Sequence, residues 1–507
     1  MELELKFDVD EAAARRLLAD LPKAGPDKVR KLNAVYFDTP EGLLRRSGMV
    51  LRIRHDGARH VQTVKRRNCD GALARGEWEA DVADAQPDLD AAARTPLAEV
   101  CDGRDLAALA PVFEVKVERL TRELEVGAAS VEVAFDTGEV RAGEAASPLC
   151  EIELELTAGD RRALFDFARD LSEKTALDLS FTAKADRGYA LAGGRKADAS
   201  AKHPVLDPKG DAAAAFRAIG LYALAQMSAN ARELRAGHSA RAVHQLRVGV
   251  RRLRSAMALF GPMLADDRRD GLKAELKWLA GELDDARNLD VFIEETFHPV
   301  ASRRADIPGL TAFEASLAAA RKRAYRRVDA AVRSPRFRRL MLEAVVWVEF
   351  GDWGESKDAD IRALRERPAR KAARTLLDRC WRRLDKAGAR LDKLDIADLH
   401  AMRIQAKKLR YACDFFASLF DGAAADGRAA FAARIAALQD ALGAVTDIAT
   451  ARSLTAKVVQ PHGAAPRDLR GAYAAGVVMG ERQAGEARAM KAAVRAWGRL
   501  RKAERFW

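Results

Sequence analysis

The chain has 507 residues, which is too long for one hydrophobic core, so we expect two or more domains. Apolar residues make up 49% and charged residues 32% of the sequence, a balance typical of a soluble globular protein, and no apolar run approaches the roughly 18 residues that a membrane span requires. The opening residues lack a basic and then apolar signal, and the five cysteines form no Cys-x-x-Cys pair. We therefore expect a cytoplasmic protein without a disulfide framework or a zinc site.

The net charge of +12 is divided unevenly along the chain. Residues 1–200 carry 30 Lys and Arg against 38 Asp and Glu, whereas the remainder carries 57 against 37. This asymmetry suggests an acidic, metal-using half joined to a half that binds polyanions. The alternative is that Ala- and Arg-rich helices are basic through base composition alone, without a binding role.

The first 190 residues are predicted to be mostly β-structure. In the opening segment Glu2, Glu4 and Lys6 alternate with leucines, so the three charged side chains share one face of a strand. Two carboxylates suit a hard divalent cation, and a lysine suits the phosphate oxygens that such a cation bridges. Similar alternation predicts eight strands, at Glu2–Val9, Val29–Asp38, Met49–His55, His60–Arg66, Trp78–Ala83, Val112–Val126, Ser130–Val140 and Cys150–Thr157. Helices are predicted at Glu11–Leu21, Leu97–Leu109 and Arg161–Thr175.

Charged side chains recur at alternate positions on several of these strands, opposite apolar ones. Examples are Arg52 with Arg54, and Glu151 with Glu153. The ordinary interpretation is a sandwich with solvated charged faces. The alternative is an antiparallel barrel with a charged interior, which would be costly to bury unless metal and a highly charged ligand compensate.

The order of motifs in this half resembles the CYTH family of triphosphate tunnel metalloenzymes, over about residues 1–190. The resemblance rests on Glu2-x-Glu4-x-Lys6, Tyr36-Phe37-Asp38-Thr39-Pro40, Leu51-Arg52-Ile53-Arg54, Thr63-Val64-Lys65, Arg75-x-Glu77-Trp78-Glu79, the Val131–Gly138 segment, Glu151/Glu153/Glu155 and Lys184-Ala185-Asp186-Arg187-Gly188-Tyr189. It implies an eight-stranded antiparallel β-barrel tunnel with flanking helices, a divalent metal (Mg²⁺ or Mn²⁺) and a triphosphate substrate.

The resemblance also implies roles for individual side chains. The expected metal ligands are Glu2, Glu4, Glu132, Asp136, Glu151 and Glu153. The expected catalytic and phosphate-positioning residues are Lys6, Arg52, Arg54, Lys65, Arg119 and Lys184.

After a linker at residues 196–208, the chain is predicted to be all helical, with an internal repeat. Val243–Val248 returns as Leu399–Ile404, a shift of 156 residues. In each copy a histidine and three basic residues fall at i, i+3, i+7 and i+10, on one helix face. These two basic faces are His244, Arg247, Arg251 and Arg254, and His400, Arg403, Lys407 and Arg410. A lone basic face is usually just solvated, but two matching ones suggest a polyanion partner.

This half resembles the CHAD domain, the conserved-histidine α-helical domain, over about residues 209–507. The resemblance implies two four-helix bundles related by a pseudo-twofold axis, with repeat halves at about 209–345 and 365–507, and a central basic surface that binds inorganic polyphosphate. The expected fold is thus a two-domain α+β protein, with a tunnel domain at residues 1–195 and a helical domain at 209–507.

These features together predict metal-dependent hydrolysis of inorganic triphosphate, with polyphosphate bound by the helical half and, through it, association with polyphosphate granules. Alternatives stay open: a non-enzymatic polyphosphate-binding protein, or an enzyme that acts on thiamine triphosphate or a nucleoside triphosphate or that cyclises adenylate. Nucleic-acid binding is disfavoured because no aromatic residue interleaves the basic faces for base stacking. No membrane partner is expected.

Overall fold

The computed structural model describes residues 3–23, 25–57, 59–67, 75–193, 203–389, 391, 394–420, 422, 425–460 and 468–507. Glu2, one of the expected metal ligands, and much of the predicted linker, residues 196–202, lie outside this described part. The chain forms two compact units. Unit 1 comprises residues 1–201, 224–229 and 335–350, and unit 2 comprises residues 202–223, 230–334 and 351–507.

Unit 1 is built on one antiparallel sheet of nine strands. They are β1 (Leu3–Asp8), β2 (Lys28–Asp38), β3 (Met49–Asp56), β4 (Arg59–Arg67), β5 (Arg75–Val82), β6 (Ala110–Val126), β7 (Ala129–Ala142), β8 (Ala145–Gly159) and β9 (Asp178–Ser180). Their order across the sheet is β5-β4-β3-β2-β6-β7-β8-β1-β9. Gly127 and Gly143 open the two-residue turns of the β6–β7 and β7–β8 hairpins with positive φ angles of 58° and 56°, which glycine adopts without strain.

The prediction of an eight-stranded closed barrel is wrong in two respects. A ninth strand, β9, pairs with Lys6–Asp8 of β1. It has three residues, which is too few to show an alternating pattern in the sequence. In the described part of the sheet, β5 and β9 form the two ends and do not pair with each other, so the sheet stays open.

Short helices complete the first 193 residues. They are α1 (Glu11–Asp20), α2 (Leu43–Arg46), α3 (Leu89–Ala93), α4 (Gly103–Ala107), α5 (Arg161–Lys174) and α6 (Lys184–Leu191). The helix predicted over Leu97–Leu109 is instead a 3₁₀ turn at Pro96–Glu99 followed by α4, because Asp102 begins a new helix with a capping box. The helices α2 to α4 cover one face of β3 and β4, whereas α6 packs Ala185 and Tyr189 against β2 and β6 on the other.

The described residues from 212 onwards are mostly helical, as predicted. The helices are α7 (Ala212–Ala236), α8 (Ala240–Leu259), α9 (Arg268–Phe292), α10 (His298–Arg303), α11 (Leu310–Arg333), α12 (Pro335–Phe350), α13 (Ala359–Arg365), α14 (Ala369–Ala387), α15 (Ile396–Phe415), α16 (Ala425–Val459), α17 (Leu469–Ala484) and α18 (Glu486–Arg501). Within the described ranges, no helix is both long enough and apolar enough to cross a bilayer. The helix α12 and a short part of α7 belong to unit 1.

Candidate metal and phosphate site

One face of the sheet in unit 1 lines a cavity of about 550 Å³. Strand side chains alternate between the two faces of a sheet, so alternate residues of β1, β2, β3, β5, β6 and β8 line the cavity. Lys65 and Arg66 of β4 and Asp136 of β7 complete the contribution of the strands. Its charged lining consists of Glu4, Lys6, Arg52, Arg54, Lys65, Arg66, Glu77, Glu79, Arg119, Asp136, Glu153, Glu155, Lys184 and Asp186. The sandwich interpretation, in which the charged faces are simply solvated, therefore does not describe this face of the sheet.

Three carboxylates meet at one end of the cavity. Asp136 of β7 and Glu151 of β8 are directly paired across the ladder, and Glu153 follows Glu151 on the same face. One oxygen of each lies within 4.8 Å of the others, and all three side chains are buried. Grouped carboxylate oxygens are the donors that a hard divalent cation prefers, so these residues fit Mg²⁺ or Mn²⁺.

Basic side chains hold these carboxylates in place. The Lys184 ammonium lies 2.8 Å from Asp136 and 2.9 Å from Glu153, and it also contacts Glu151. Lys6 lies 2.7 Å from Glu153. The Arg119 guanidinium donates two hydrogen bonds of 2.7 Å to Asp136. The charges are thus interleaved, which lowers the cost of burying them.

The pKa values reflect this mutual stabilisation. Burial alone would raise the pKa of Glu153, but the charges of Lys184 and Lys6 outweigh it and hold the pKa well below its ordinary value. Burial alone would lower the pKa of Lys184, but attraction to Glu151 and Glu153 raises it well above the ordinary lysine value. These groups therefore stay charged at neutral pH.

A second group of charges lies on β3, β4 and β5. Lys65 bonds to Glu77 at 2.7 Å, whereas Arg52 and Arg54 each stand 3.6 Å from a carboxylate, Glu77 and Glu79 respectively. Burial and repulsion from Arg52 lower the pKa values of both Arg54 and Lys65. Three basic side chains on these strands, Arg52, Arg54 and Lys65, thus face two carboxylates, those of Glu77 and Glu79. The excess positive charge suits an anion.

The helix α6 brings Lys184 to the cluster and is anchored at its other end. The Tyr189 hydroxyl donates a hydrogen bond of 2.9 Å to Asp38, which also accepts backbone N–H bonds from Thr39, Leu44 and Arg45. The helix approaches β6 closely at Gly188, where a Cβ atom would lie 2.0 Å from the Phe113 ring. Glycine and tyrosine of the Lys184–Tyr189 motif thus set the position of its lysine.

The structure gathers most of the predicted site residues. All six expected phosphate-positioning residues line the cavity, and so do Glu4, Asp136 and Glu153. Glu151 belongs to the carboxylate cluster. Glu132 is not part of that cluster; it pairs across the ladder with Glu155, one row of side chains beyond Glu153. The roles of these residues stay predictions.

Four further residues belong to motifs named in the sequence but were not predicted as site residues, and they take part in the site. Glu77 and Glu79 neutralise the arginines, Arg187 contacts Asp8 and lies 3.3 Å from Glu151, and Tyr189 anchors α6. A signal for the glutamates was present in the sequence, since they alternate on one strand. Nothing in the alternation pattern marks Arg187 or Tyr189, because both are on a helix.

In unit 2 the two basic faces lie next to each other, because α8 packs against α15. Burial and the charges of Arg287 and Arg251 lower the pKa of His244 to about 4, and Arg410 of the other copy contributes. Burial and the charges of Arg403 and Arg251 lower the pKa of Lys407 to about 8. His244 is therefore neutral at pH 7 and offers hydrogen bonds rather than charge.

Each basic face already has one acidic partner. The Arg247 guanidinium lies 2.7 Å from Asp284, and Arg403 donates a hydrogen bond of 3.0 Å to Asp447. The two exposed members of the faces are Arg254 and His400. A polyanion would have to compete with Asp284 and Asp447 for these arginines.

The sheet with its charged cavity and the helical unit with its paired basic faces define a two-domain α+β protein, whose N-terminal site suits a divalent cation and a phosphate chain. Comparison with known families agrees with this division: residues 1–189 match the CYTH domain and residues 218–456 match the CHAD domain. The chain therefore belongs to the proteins that carry a CYTH domain followed by a CHAD domain.

Individual relatives match part of the chain. An inorganic triphosphatase from Haemophilus influenzae is 31% identical over 164 residues, which cover 32% of this chain and 46% of the relative. The chain thus matches about half the length of that relative. The crystal structure of the CHAD domain from the plant Ricinus communis is 28% identical, with a TM-score of 0.50, and the match covers 59% of this chain and 96% of that one. The Hippeastrum protein HpAC1 is 19% identical, with a TM-score of 0.27 and coverage of 36% and 91%.

Proposed function

We propose that the CYTH domain hydrolyses inorganic triphosphate to pyrophosphate and phosphate, with Mg²⁺ or Mn²⁺ as its cofactor. The observation that carries this proposal is the cavity itself, which is lined by seven basic side chains and adjoins a cluster of three carboxylates. The inorganic triphosphatase relative, which is 31% identical over 164 residues, supports it. The finer picture of the helical unit, two bundles related by a pseudo-twofold axis, belongs to the same proposal.

In this proposal, Asp136, Glu151 and Glu153 hold the metal, with Glu4 at the edge and Glu2 and Glu132 as further candidates. When bound, the metal would neutralise phosphate charge and activate a water molecule. Arg52 and Arg54 grip phosphate oxygens through their forked guanidinium groups, and Lys65 adds a point charge. Lys6, Lys184 and Arg119 bind the oxygens that lie nearest the carboxylates.

The reaction requires that water attack the terminal phosphorus while the phosphoanhydride bond on the opposite side breaks. The basic side chains contribute by fixing the chain in line and by stabilising the negative charge that moves onto the leaving pyrophosphate. Lys65 and Arg119 are already held by ion pairs before substrate arrives, so these two side chains need little reorganisation. The leaving group takes up a proton from solvent after release.

The cavity favours a bare phosphate chain over a nucleotide or thiamine ester. Among the described residues that line it, Tyr36 is the one aromatic side chain, and its ring is stacked on Phe113 at 4.5 Å. A base or a thiazolium ring would therefore find little to stack on. Action on thiamine triphosphate or nucleoside triphosphates remains the alternative, and assays with each of these substrates distinguish it.

The test is phosphate release from triphosphate, longer polyphosphate, ATP and thiamine triphosphate, each with Mg²⁺ and with Mn²⁺. We expect triphosphate to be hydrolysed fastest and EDTA to abolish the activity. Glu153→Gln should remove most of the activity, whereas Glu139→Gln, on the other face of the sheet, should not. Equal activity on ATP, or full activity of a folded Glu153→Gln protein, would contradict the proposal.

We also propose that the CHAD domain binds inorganic polyphosphate without hydrolysing it, through the two adjacent basic faces. Association of a cytoplasmic protein with polyphosphate granules would follow from this binding. Reversing the charge of Arg247 and Arg403 together should weaken binding far more than reversing Arg326 and Lys357, which lie off the faces. Equal binding of duplex DNA at physiological salt would indicate a generic polyanion site instead.

A further inference from the structure

The most unusual feature of the carboxylate cluster is that a side chain of the protein sits in its centre. The Lys184 ammonium contacts all three carboxylates, with separations of 2.8 Å to Asp136 and 2.9 Å to Glu153. These are the oxygens that the proposed metal would use. An ammonium group has three donors and no acceptor, so it can satisfy three carboxylates at once.

The charge of the cluster is already compensated by the protein. Its three carboxylates face four basic side chains within 4 Å, namely Lys6, Arg119, Lys184 and Arg187. A divalent cation that enters this arrangement alone must displace Lys184 from the oxygens and then remain close to a positive charge that has no new partner. Like charges a few ångströms apart in a partly buried site repel strongly.

We infer that Lys184 competes with the divalent cation for the carboxylates, and that a bound phosphate chain relieves this competition by taking Lys184 as its own partner. Metal and phosphate then bind cooperatively, each raising the affinity for the other by the same factor. The free protein binds the metal weakly. This inference rests on the proposed function in that it uses the same metal and phosphate site.

The local structure indicates which part would move. The far end of α6 is fixed by the Tyr189–Asp38 hydrogen bond and by the close contact of Gly188 with Phe113. Lys184 is the first residue of the helix, and four rotatable side-chain bonds separate its ammonium from the backbone. The exchange therefore requires a rotamer change of one lysine rather than a displacement of the helix.

The direct test measures Mn²⁺ binding to the full chain by equilibrium dialysis at fixed free Mn²⁺, without and with saturating pyrophosphate. Fixing the free concentration removes the effect of Mn²⁺ binding to pyrophosphate in solution. We expect pyrophosphate to raise the Mn²⁺ affinity roughly 5- to 150-fold, the usual range of coupling between two sites. Equal Mn²⁺ affinity in the two conditions would overturn the inference.

The matched variants are Lys184→Gln and Lys116→Gln. Lys116 lies on the opposite face of β6, where it pairs with Glu114 at 2.7 Å, so it controls for the loss of one positive charge. Lys184→Gln should raise the Mn²⁺ affinity of the free protein and reduce the coupling to pyrophosphate, even though hydrolysis falls. Unchanged or weaker Mn²⁺ binding by a folded Lys184→Gln protein would contradict competition.

The measurements separate this inference from the proposed function. Cooperative Mn²⁺ and pyrophosphate binding in a protein that releases no phosphate from triphosphate would leave the inference standing and remove the proposed activity. Normal hydrolysis of triphosphate without coupling between Mn²⁺ and pyrophosphate binding would overturn the inference and leave the proposed activity standing. If Lys184→Gln does not fold, the comparison of the unmodified chain with and without pyrophosphate still decides the question.

Discussion

Lys407 is the basic residue of the CHAD domain whose charge should be most sensitive to pH. Burial and the charges of Arg403 and Arg251 lower its pKa to about 8, so the protein alone disfavours its protonated form. A bound polyanion favours that form, which means that binding takes up a proton once the pH exceeds about 8. We predict that polyphosphate affinity falls as the pH rises from 7 to 9.5.

The matched variant is Lys407→Arg, because arginine stays protonated throughout this range. Its polyphosphate affinity, measured by the same fluorescence or calorimetric titration, should change much less with pH. Identical pH profiles for the two proteins would assign the effect to some group other than Lys407.

Tyr189 is the second residue for which the structure makes a specific prediction. Tyr189→Phe keeps the ring contacts with Phe113 but removes the hydrogen bond to Asp38, which is buried and retains its three backbone donors. We expect the free energy of unfolding to fall by about 1 kcal/mol, the usual net value of such a bond. Triphosphate turnover should fall as well, since α6 carries Lys184.

Chemical denaturation and steady-state kinetics measure the two effects. Tyr473→Phe is the control, because that tyrosine is 59% exposed on α17 and its loss of a hydroxyl should change little. If Tyr189→Phe lowers stability but leaves kcat and KM unchanged, the anchor is structural only.

At the scale of single elements, β3 carries Arg52 and Arg54, and the free protein does not fully offset the burial of Arg54 and its repulsion from Arg52. The pKa of Arg54 is lowered by burial and by Arg52, and its nearest carboxylate, on Glu79, is 3.6 Å away. Arg54→Gln should therefore leave the melting temperature unchanged or raise it, while KM for triphosphate increases. Arg59→Gln, which removes an exposed pair with Asp81, should change neither quantity appreciably. A clear drop in melting temperature for Arg54→Gln would show that this arginine stabilises the fold.

Eight of the strands could be predicted from the sequence because alternation is visible over six or more residues. The three-residue strand β9 could not, since its position depends on pairing with β1 rather than on any local pattern. Lys184 was recognised through its motif. Its contact with three carboxylates from β7 and β8 could not be predicted, because it follows only from the packing of α6.

The helical repeat shows a similar limit. A second part of the repeat, Leu283–Leu289, returns as Leu442–Ile448 at a shift of 159 residues. This alignment places Gly443 opposite Asp284, the partner of Arg247. A Cβ atom at Gly443 would lie 3.0 Å from Arg403, which passes over this position and reaches Asp447 one turn further on. The repeat predicted that both arginines lie on equivalent faces, but not that their acidic partners differ.

At the scale of the whole molecule, unit 1 includes the helix α12, which comes more than a hundred residues after residue 201 in the chain. The Phe350 ring at the end of α12 lies 5.0 Å from Phe165 of α5, and Glu343 pairs with Arg169 at 2.6 Å. A fragment of residues 1–201 lacks these partners. We predict that amide hydrogen exchange in residues 161–174 is faster in this fragment than in the full chain, because local stability there depends on the lost contacts.

The hairpin of β7 and β8, which is complete within the fragment, provides the internal reference and should exchange at similar rates in both proteins. Equal protection of α5 in the fragment and in the full chain would mean that α12 contributes little to unit 1.

The late position of α12 also has a consequence during synthesis. A ribosome adds about 5–20 residues per second, so α12 is finished roughly 7–30 s after residue 201 leaves the peptidyl transferase centre. Throughout that interval Phe165 and the surrounding face of α5 lack the cover that they have in the finished protein. The nascent chain therefore exposes apolar surface for far longer than a small domain needs to fold, and it presents a binding site for chaperones that the completed protein no longer offers.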